Sequence, residues 1–522
     1  MNDENHKSSK QSASGSVLAV VDIGSNSIRM SIGQVLPDGQ VEVLEQARRA
    51  VHLGQDTFRR SRLGRAVIHA AVAILKEFKA RIDVYGADRV RIVATSAIRE
   101  ARNAEIFRDR VLMASGMEVE IISSSQEGRM TVLAVRHAIG KDIDMMDTAT
   151  MISEVGGGST VLSLLQDGRI KSVHNLRMGA IRLQEELHAG GVPAEKAFDS
   201  IHNEIDSVLV PVKEMMPLDN VKTYFALGGD VRFAAEQVGT STSNPSIWKI
   251  SKSKLDGFLN SIQHLSTEDL GSTYNIPFED AETLVPALMM CQALLGRTKA
   301  KELMVPNVSM RDGLLQDLAL QLSGDDQRMY SDEVIQSSVA LAEKYKVNIK
   351  HARRVADCAL WLFDKLKPEH GLGARQRLYL ESASLLQETG MFISPRGYHK
   401  HTYYIISHEE IFGLTEGEVE VVAHVARYHR RSMPKTSHVE YMSLNRENRI
   451  LVNRLSAILR LARALDVASL SDLEKLDGSV EEGEFRVMVH GMPDGSLRAR
   501  SFEIRSDQFE DVFGLKIRLV SR

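Results

Sequence analysis

The chain has 522 residues, 43% of them hydrophobic, and a formal net charge of -4, which is enough to bury several cores because a single core stops growing at roughly 250 to 300 residues. The near balance of charge excludes a wholesale nucleic-acid binder, which carries a basic footprint over a whole domain, so any polyanion must meet local basic patches. The two cysteines, Cys291 and Cys358, each lie in an apolar stretch, which excludes a disulfide framework and fits a reducing cytosol.

Residues 1–16 are rich in Ser, Lys and Asn and are expected to be a disordered N-terminus. The apolar run that follows is cut by Asp22 too early for a signal peptide, and the run 284–295 is too short to cross a bilayer, so a soluble cytoplasmic protein without a membrane partner is expected. From Val17 the chain reads strand, Asp22-Ile23-Gly24 turn, a second strand over 28–33, a Pro37-Asp38-Gly39 turn and a third strand from Val41. About 130 residues on, the order recurs: a strand into Glu154-Val155-Gly156, a strand over 161–165, an Asp167-Gly168 turn and a strand over 170–173. Such a duplication predicts two similar α/β lobes, over 17–140 and 141–322, with a ligand crevice at their strand ends.

After Leu322 the segment Gly324-Asp325-Asp326-Gln327 reads as a linker, and helical patterns follow. Apolar residues at Val355, Ala359, Leu362, Phe363 and Leu366, and at Leu451, Leu455, Ile458, Ala462 and Leu465, predict an all-helical domain over 323–478. Strand-like sequence at 484–489 and 516–520, with a Pro493-Asp494-Gly495 turn between, predicts a small β-containing α/β cap over 479–522.

Three glycine loops stand in this frame: Gly24-Ser25-Asn26-Ser27, Gly156-Gly157-Gly158-Ser159 and Gly228-Gly229. Such loops let backbone N–H groups converge on phosphate oxygens without side-chain bulk in the way. Asp22 and Glu154 precede the first two loops at matching places, where they could hold a Mg²⁺ through water against substrate phosphates or simply bond turn N–H groups. Glu127 stands just before an apolar helix: Ser124 to Glu127 has the spacing of a capping box, and the alternative is a cleft carboxylate that takes a proton from attacking water. Thr95, Ser96, Arg99 and Arg102 follow a strand, and arginine's planar fork suits phosphate.

These segments, in this order, resemble the exopolyphosphatase and guanosine pentaphosphate phosphohydrolase family of the actin, sugar kinase and Hsp70 superfamily. The matching residues are 21–29, 94–103, 125–129, 156–160, 176–183 with Arg182, Leu227-Gly228-Gly229 and Arg311-Asp312-Gly313. The resemblance implies two actin-like (ribonuclease H-like) lobes, Mg²⁺ dependence and water as nucleophile. It also implies Glu127 as catalytic base, phosphate contacts from Gly24, Ser25, Asn26, Ser27, Gly157, Gly158, Ser159 and Thr160, and Arg99 as an anion clamp. The family's usual Asp-x-Gly-Gly-Gly-Ser-Thr-Glu here runs from Glu154 to Val161, so one carboxylate is lengthened and the other replaced by an apolar side chain.

The helical domain resembles the HD-like domain of longer members. An HD metal site would draw on His351, Glu388, His424 and Asp466, but Gln387 stands where imidazole is needed, so these read as polar residues of a helical bundle. Lys400, His401, Arg427, Arg430 and Arg431 form a local basic cluster suited to a polyanion track or to helix C-termini. The expected activity is removal of terminal orthophosphate from inorganic polyphosphate. The alternatives are hydrolysis of the 5′-terminal phosphate of guanosine pentaphosphate and non-catalytic sensing of a phosphorylated ligand. The helical domain could support a homodimer.

Overall fold

The computed structural model describes residues 15–140, 149–189, 194–323, 326–430, 433–467, 474, 476–481, 483–489, 502 and 507–521. The N-terminal stretch through residue 14, linker residues Gly324-Asp325, Arg431 and the Pro493-Asp494-Gly495 turn lie outside them. The chain forms two compact units, Met1–Asp326 and Gln327–Arg522.

The first unit contains two sheets. Strands β1 (Val17–Ile23), β2 (Ser27–Val35), β3 (Val41–Ala50), β4 (Arg89–Ala94) and β5 (Glu120–Ile121) lie in the order β3-β2-β1-β4-β5. In the second sheet, β6 (Thr150–Val155), β7 (Thr160–Gln166), β8 (Arg169–Leu176), β9 (Thr223–Leu227) and β12 (Glu302–Pro306) repeat that order as β8-β7-β6-β9-β12. Two further strands, β11 (Ile247–Ser251) and β10 (Thr240–Ser241), extend it at the β12 edge. Pairing directions match as well: the first three strands of each lobe form an antiparallel meander, and the remainder of the common frame is parallel. The meander even bulges at the same place, between Ile32 and Gly33 and between Leu164 and Leu165, eight residues beyond Gly24 and Gly156 respectively. Central strand β1 is buried on both faces, which is why Val17-Leu18-Ala19-Val20-Val21 is continuously apolar rather than alternating.

The lobes exchange covering helices. Helix Ser124–Ile139 lies before the 140/141 boundary in sequence, yet its Val132, Val135 and Ile139 pack with Ile152, Leu165 and Phe225 of the second sheet. Helix Met310–Ser323 returns to the first sheet and packs Leu314, Leu315 and Leu318 on Leu18, Val20 and Val93. The two helices meet where Gly313 faces the Met130 carbonyl so closely that an added Cβ would stand 1.9 Å from that oxygen. The cysteines lie buried in helices Phe278–Leu295 and Ile349–Lys365. No helix among the described residues is long and apolar enough to cross a membrane.

The second unit is built on helices that include Asp326–Lys344, Ile349–Lys365, Ala374–Leu386, Glu416–Arg427 and Arg446–Val467. A sheet of β13 (Leu476–Glu481), β14 (Glu484–Val489) and β15 (Lys516–Ser521) is added to them. Phe485, Val487, Phe509 and Ile517 share one hydrophobic cluster with Leu362, Phe363, Leu455 and Leu465. The cap expected over 479–522 thus belongs to the same core as the helices, and its first strand begins at Leu476.

Candidate active site

The duplicated turns form the floor of a cleft of about 210 Å³ between the two lobes of the first unit. Gly24 N donates to Ser27 O at 3.1 Å, and Gly156 N to Ser159 O at 2.9 Å, so both strand ends close the same four-residue turn. The loops touch each other: a Cβ on Gly157 would come within 3.3 Å of Ser25 Cβ, and one on Gly158 within 2.2 Å of the Phe58 ring and 2.6 Å of Ser96 Oγ. Glycine at 158 is therefore a requirement of lobe contact. Arg182 secures the contact by donating to Gly158 O at 3.0 Å, pairing with Glu100 at 2.8 Å and covering the Phe58 ring at 4.2 Å.

Gly24, Ser25, Asn26, Ser27, Thr95, Ser96, Gly157, Ser159, Gly228 and Gly229 all line the cleft, as do Asp22, Glu127 and Glu154. Gly158 instead supports the Phe58 contact, and the Thr160 hydroxyl donates to Met178 O at 2.7 Å in the interior. Gly228 takes φ 135° at the start of helix Gly229–Val238, a conformation open to glycine.

Glu127 is not the capping residue that the spacing from Ser124 suggested. The capping box belongs to Ser123 and Gln126: Ser123 Oγ accepts from Gln126 N at 3.3 Å, and Gln126 Oε1 accepts from Ser123 N at 2.9 Å. The cap is thus complete one residue earlier, and Glu127 is turned into the cleft. Burial pushes its carboxyl up to about 7, with Glu154 and Asp22 adding to the rise and Arg99 opposing it. Arg99 Nη1 donates to Glu127 Oε1 at 2.5 Å and to Ile122 O at 2.6 Å, while its buried Nη2 has no hydrogen-bond partner among the described residues. Arg99, expected as an anion clamp, does not line the cleft and is held instead against Glu127.

Asp22 and Glu154 face each other's field. Burial raises both carboxyls; Arg311, with Nη1 3.7 Å away, and Arg29 oppose the rise at Asp22, and the Thr131 hydroxyl opposes it at Glu154. That hydroxyl lies 2.7 Å from Glu154 Oε2 and 3.0 Å from the Glu127 carbonyl, tying the second loop's carboxylate to the helix of the base. In the ladders Asp22 pairs with Arg29 and Glu154 with Val161, so an apolar side chain stands in lobe II where lobe I has a guanidinium. Among the described residues no three His, Cys, Asp or Glu side chains form a metal cage. Two carboxylates in a cleft lined by glycine turns do suit Mg²⁺, which keeps much of its water and takes one or two carboxylates plus substrate phosphates.

Several lining residues were not singled out from the sequence: Arg29, Arg48, Asp230, Phe233, Asp280 and Thr283. Arg48 pairs with Asp280 at 2.9 Å, and Asp230, its carboxyl raised by burial, accepts from Thr283 at 2.8 Å. Arg29, Asp230 and Phe233 stand close to glycine loops in the sequence, whereas Arg48 and Asp280 carry no such signal and meet from 232 residues apart.

In the second unit, His351 Nδ1 lies 3.3 Å from Asp466 and Nε2 3.7 Å from Glu388, but Arg354 and Arg463 reach the same carboxylates at 3.4 and 3.5 Å. His424 instead lies 3.3 Å from Glu420. Arg427 pairs with Glu440 at 3.4 Å and covers the Tyr403 ring, Arg430 covers Tyr398, Lys400 is exposed and His401 half-buried.

Residues 15–322 match the Ppx/GppA phosphatase family, and residues 335–486 match Ppx/GppA phosphatase domain III. The chain belongs to the Ppx/GppA phosphatase family. It is thereby a hydrolase of a family that cleaves phosphoanhydride bonds, with two actin-like lobes followed by the family's helical domain. A guanosine-5′-triphosphate,3′-diphosphate pyrophosphatase of Pseudoalteromonas atlantica is 22% identical over 92% of each chain. One of Photobacterium profundum is 23% identical over 85% of each. The solved structure of an exopolyphosphatase from Cytophaga hutchinsonii shares the fold with TM-score 0.53 at 20% identity, covering 59% of this chain and 98% of that one.

Proposed function

We propose that the chain is a Mg²⁺-dependent exopolyphosphatase that releases orthophosphate from the end of inorganic polyphosphate. The observation that carries this reading is Glu127, a buried carboxyl poised at about 7 and facing a cleft floored by two glycine turns. A base with a pKa near ambient pH combines a useful ionised fraction with enough basicity to accept a proton. Ionised Glu127 takes a proton from water as that water's oxygen bonds to the terminal phosphorus. The bridging P–O bond breaks, leaving orthophosphate and a chain one phosphate shorter. N–H groups of the two turns hold the equatorial oxygens, and Arg99 acts through its pairing with Glu127. Asp22 and Glu154 would hold Mg²⁺, which when bound neutralises phosphate charge.

The second reading is a guanosine pentaphosphate 5′-phosphohydrolase. It is favoured by the names of relatives that match most of the chain's length, and by the apolar Phe233, Ile276 and Leu284 among the residues that line the cleft. Incubation of the purified chain and its Glu127→Gln variant with Mg²⁺ and each substrate, following phosphate release, tests both. Faster release from polyphosphate supports the first reading and faster release from the nucleotide the second. Tight binding of both without release would leave a non-catalytic sensor and overturn the hydrolytic assignment.

A further inference from the structure

A hollow of about 450 Å³ opens on lobe I, lined by Arg60, Arg62, Arg65 and Arg110 together with Asp56 and Asn103. Five other arginines of this lobe are spent on carboxylates: Arg48 on Asp280, Arg49 on Glu77, Arg81 on Glu45, Arg91 on Glu120 and Arg108 on Glu105. The four arginines of the hollow are exposed and have no ion-pair partner among the described residues. The one carboxylate among them, Asp56, accepts from Gly64 N at 2.9 Å.

The backbone that presents these arginines is held in place. Buried Asn103 bonds both Leu63 N and Leu63 O, at 2.9 and 3.0 Å, and Arg102 N donates to Ser61 O at 3.0 Å. Arg62 stands on this loop, Arg60 and Arg65 on the helix ends that flank it and Arg110 on helix Ala104–Ser115, so the backbone that carries the four guanidinium groups is ordered before a ligand arrives. One helix links a loop that lines the cleft to an arginine that lines the hollow. Helix Leu53–Arg60 begins where Gly54 N donates to Ser25 O at 2.8 Å and ends on Arg60, so its eight residues span about 12 Å from the first phosphate loop to the first arginine.

We propose that this hollow holds the internal phosphates of a long inorganic polyphosphate whose terminal phosphate lies in the cleft, an inference that rests on the exopolyphosphatase reading. Guanidinium forks match phosphate oxygens pairwise, and a repeating polyanion satisfies several at once. Single-stranded nucleic acid would need aromatic platforms for its bases, and no aromatic residue lines the hollow.

The test replaces Arg60, Arg62, Arg65 and Arg110 together, by Ala in one variant and by Lys in another, in the full chain. For long-chain polyphosphate the Ala variant is expected to raise KM by roughly tenfold with kcat unchanged, and the Lys variant to retain most of the affinity. For tripolyphosphate, too short to reach, KM should stay within about twofold of the parent. Equilibrium binding of long-chain polyphosphate to Glu127→Gln, with and without the Ala replacements, should show the salt slope falling by about three. Equal affinity and slope in that pair, an equal KM rise for tripolyphosphate, or tighter binding of an oligoribonucleotide of matched charge would each overturn the proposal. Absence of phosphate release by the parent would refute the exopolyphosphatase reading and leave the binding comparison to judge the hollow.

Discussion

At the scale of single residues, the site depends on where one carboxylate is released from local duty. Ser123 and Gln126 complete the helix cap, so Glu127 is free to be buried against Arg99. Glu127→Gln should lower turnover by about a hundredfold or more, as loss of a general base commonly does, measured as initial phosphate release. The parent's rate should rise with pH through about 7 as the carboxylate ionises. Arg99→Ala removes the charge that opposes that rise, so the apparent pKa should move to more alkaline pH; an unshifted profile would separate Arg99 from the base. Stability gives an independent readout. The unfolded carboxyl loses its proton near 4.5 and the folded one near 7, so between these values the folded state binds more protons and its stability falls as pH rises. Glu127→Gln lacks this loss, and its stability relative to the parent should grow by about 3 kcal/mol between pH 4 and pH 8 in denaturant titrations.

At the scale of elements, the two loops differ in what surrounds them although their turns coincide. Gly158 lies under Phe58 and against Ser96. Gly158→Ala should force these contacts apart, costing about 1 to 3 kcal/mol by overpacking and lowering kcat more than stability alone explains. Val161 faces Glu154 across the β6–β7 ladder and lines the cleft. Val161→Glu adds a second carboxylate beside Glu154. Tighter Mg²⁺ dependence with faster release is the expected gain, and a destabilised, slower protein would show that like-charge repulsion dominates.

At the scale of the molecule, the two units have separate cores, and the C-terminal sheet is part of the second. Phe485, fully buried near Phe509 at 6.0 Å between centroids, belongs to the cluster that also contains Leu362 and Leu465. Phe485→Ala should cost about 3 to 5 kcal/mol and, in calorimetry, shift the transition of residues 327–522 while leaving that of the first unit in place. A uniform shift of a single transition would show that the units unfold together.

The sequence by itself determined the duplicated lobes, the glycine turns and the helical second unit, because these follow from local periodicity and from the close approach that only a glycine without Cβ permits. It left open whether Glu127 caps its helix, because Ser124 and Ser123 offer nearly the same spacing and only the formed helix shows that Ser123 and Gln126 make the cap. Tertiary structure alone decided that Arg99 pairs with Glu127, that Thr160 turns inward, that Arg48 and Asp280 meet in the cleft, and that helices Ser124–Ile139 and Met310–Ser323 each cover the other lobe's sheet. Each of these rests on partners distant in the chain, and hydrophobic patterning states which face of an element is buried without naming what buries it.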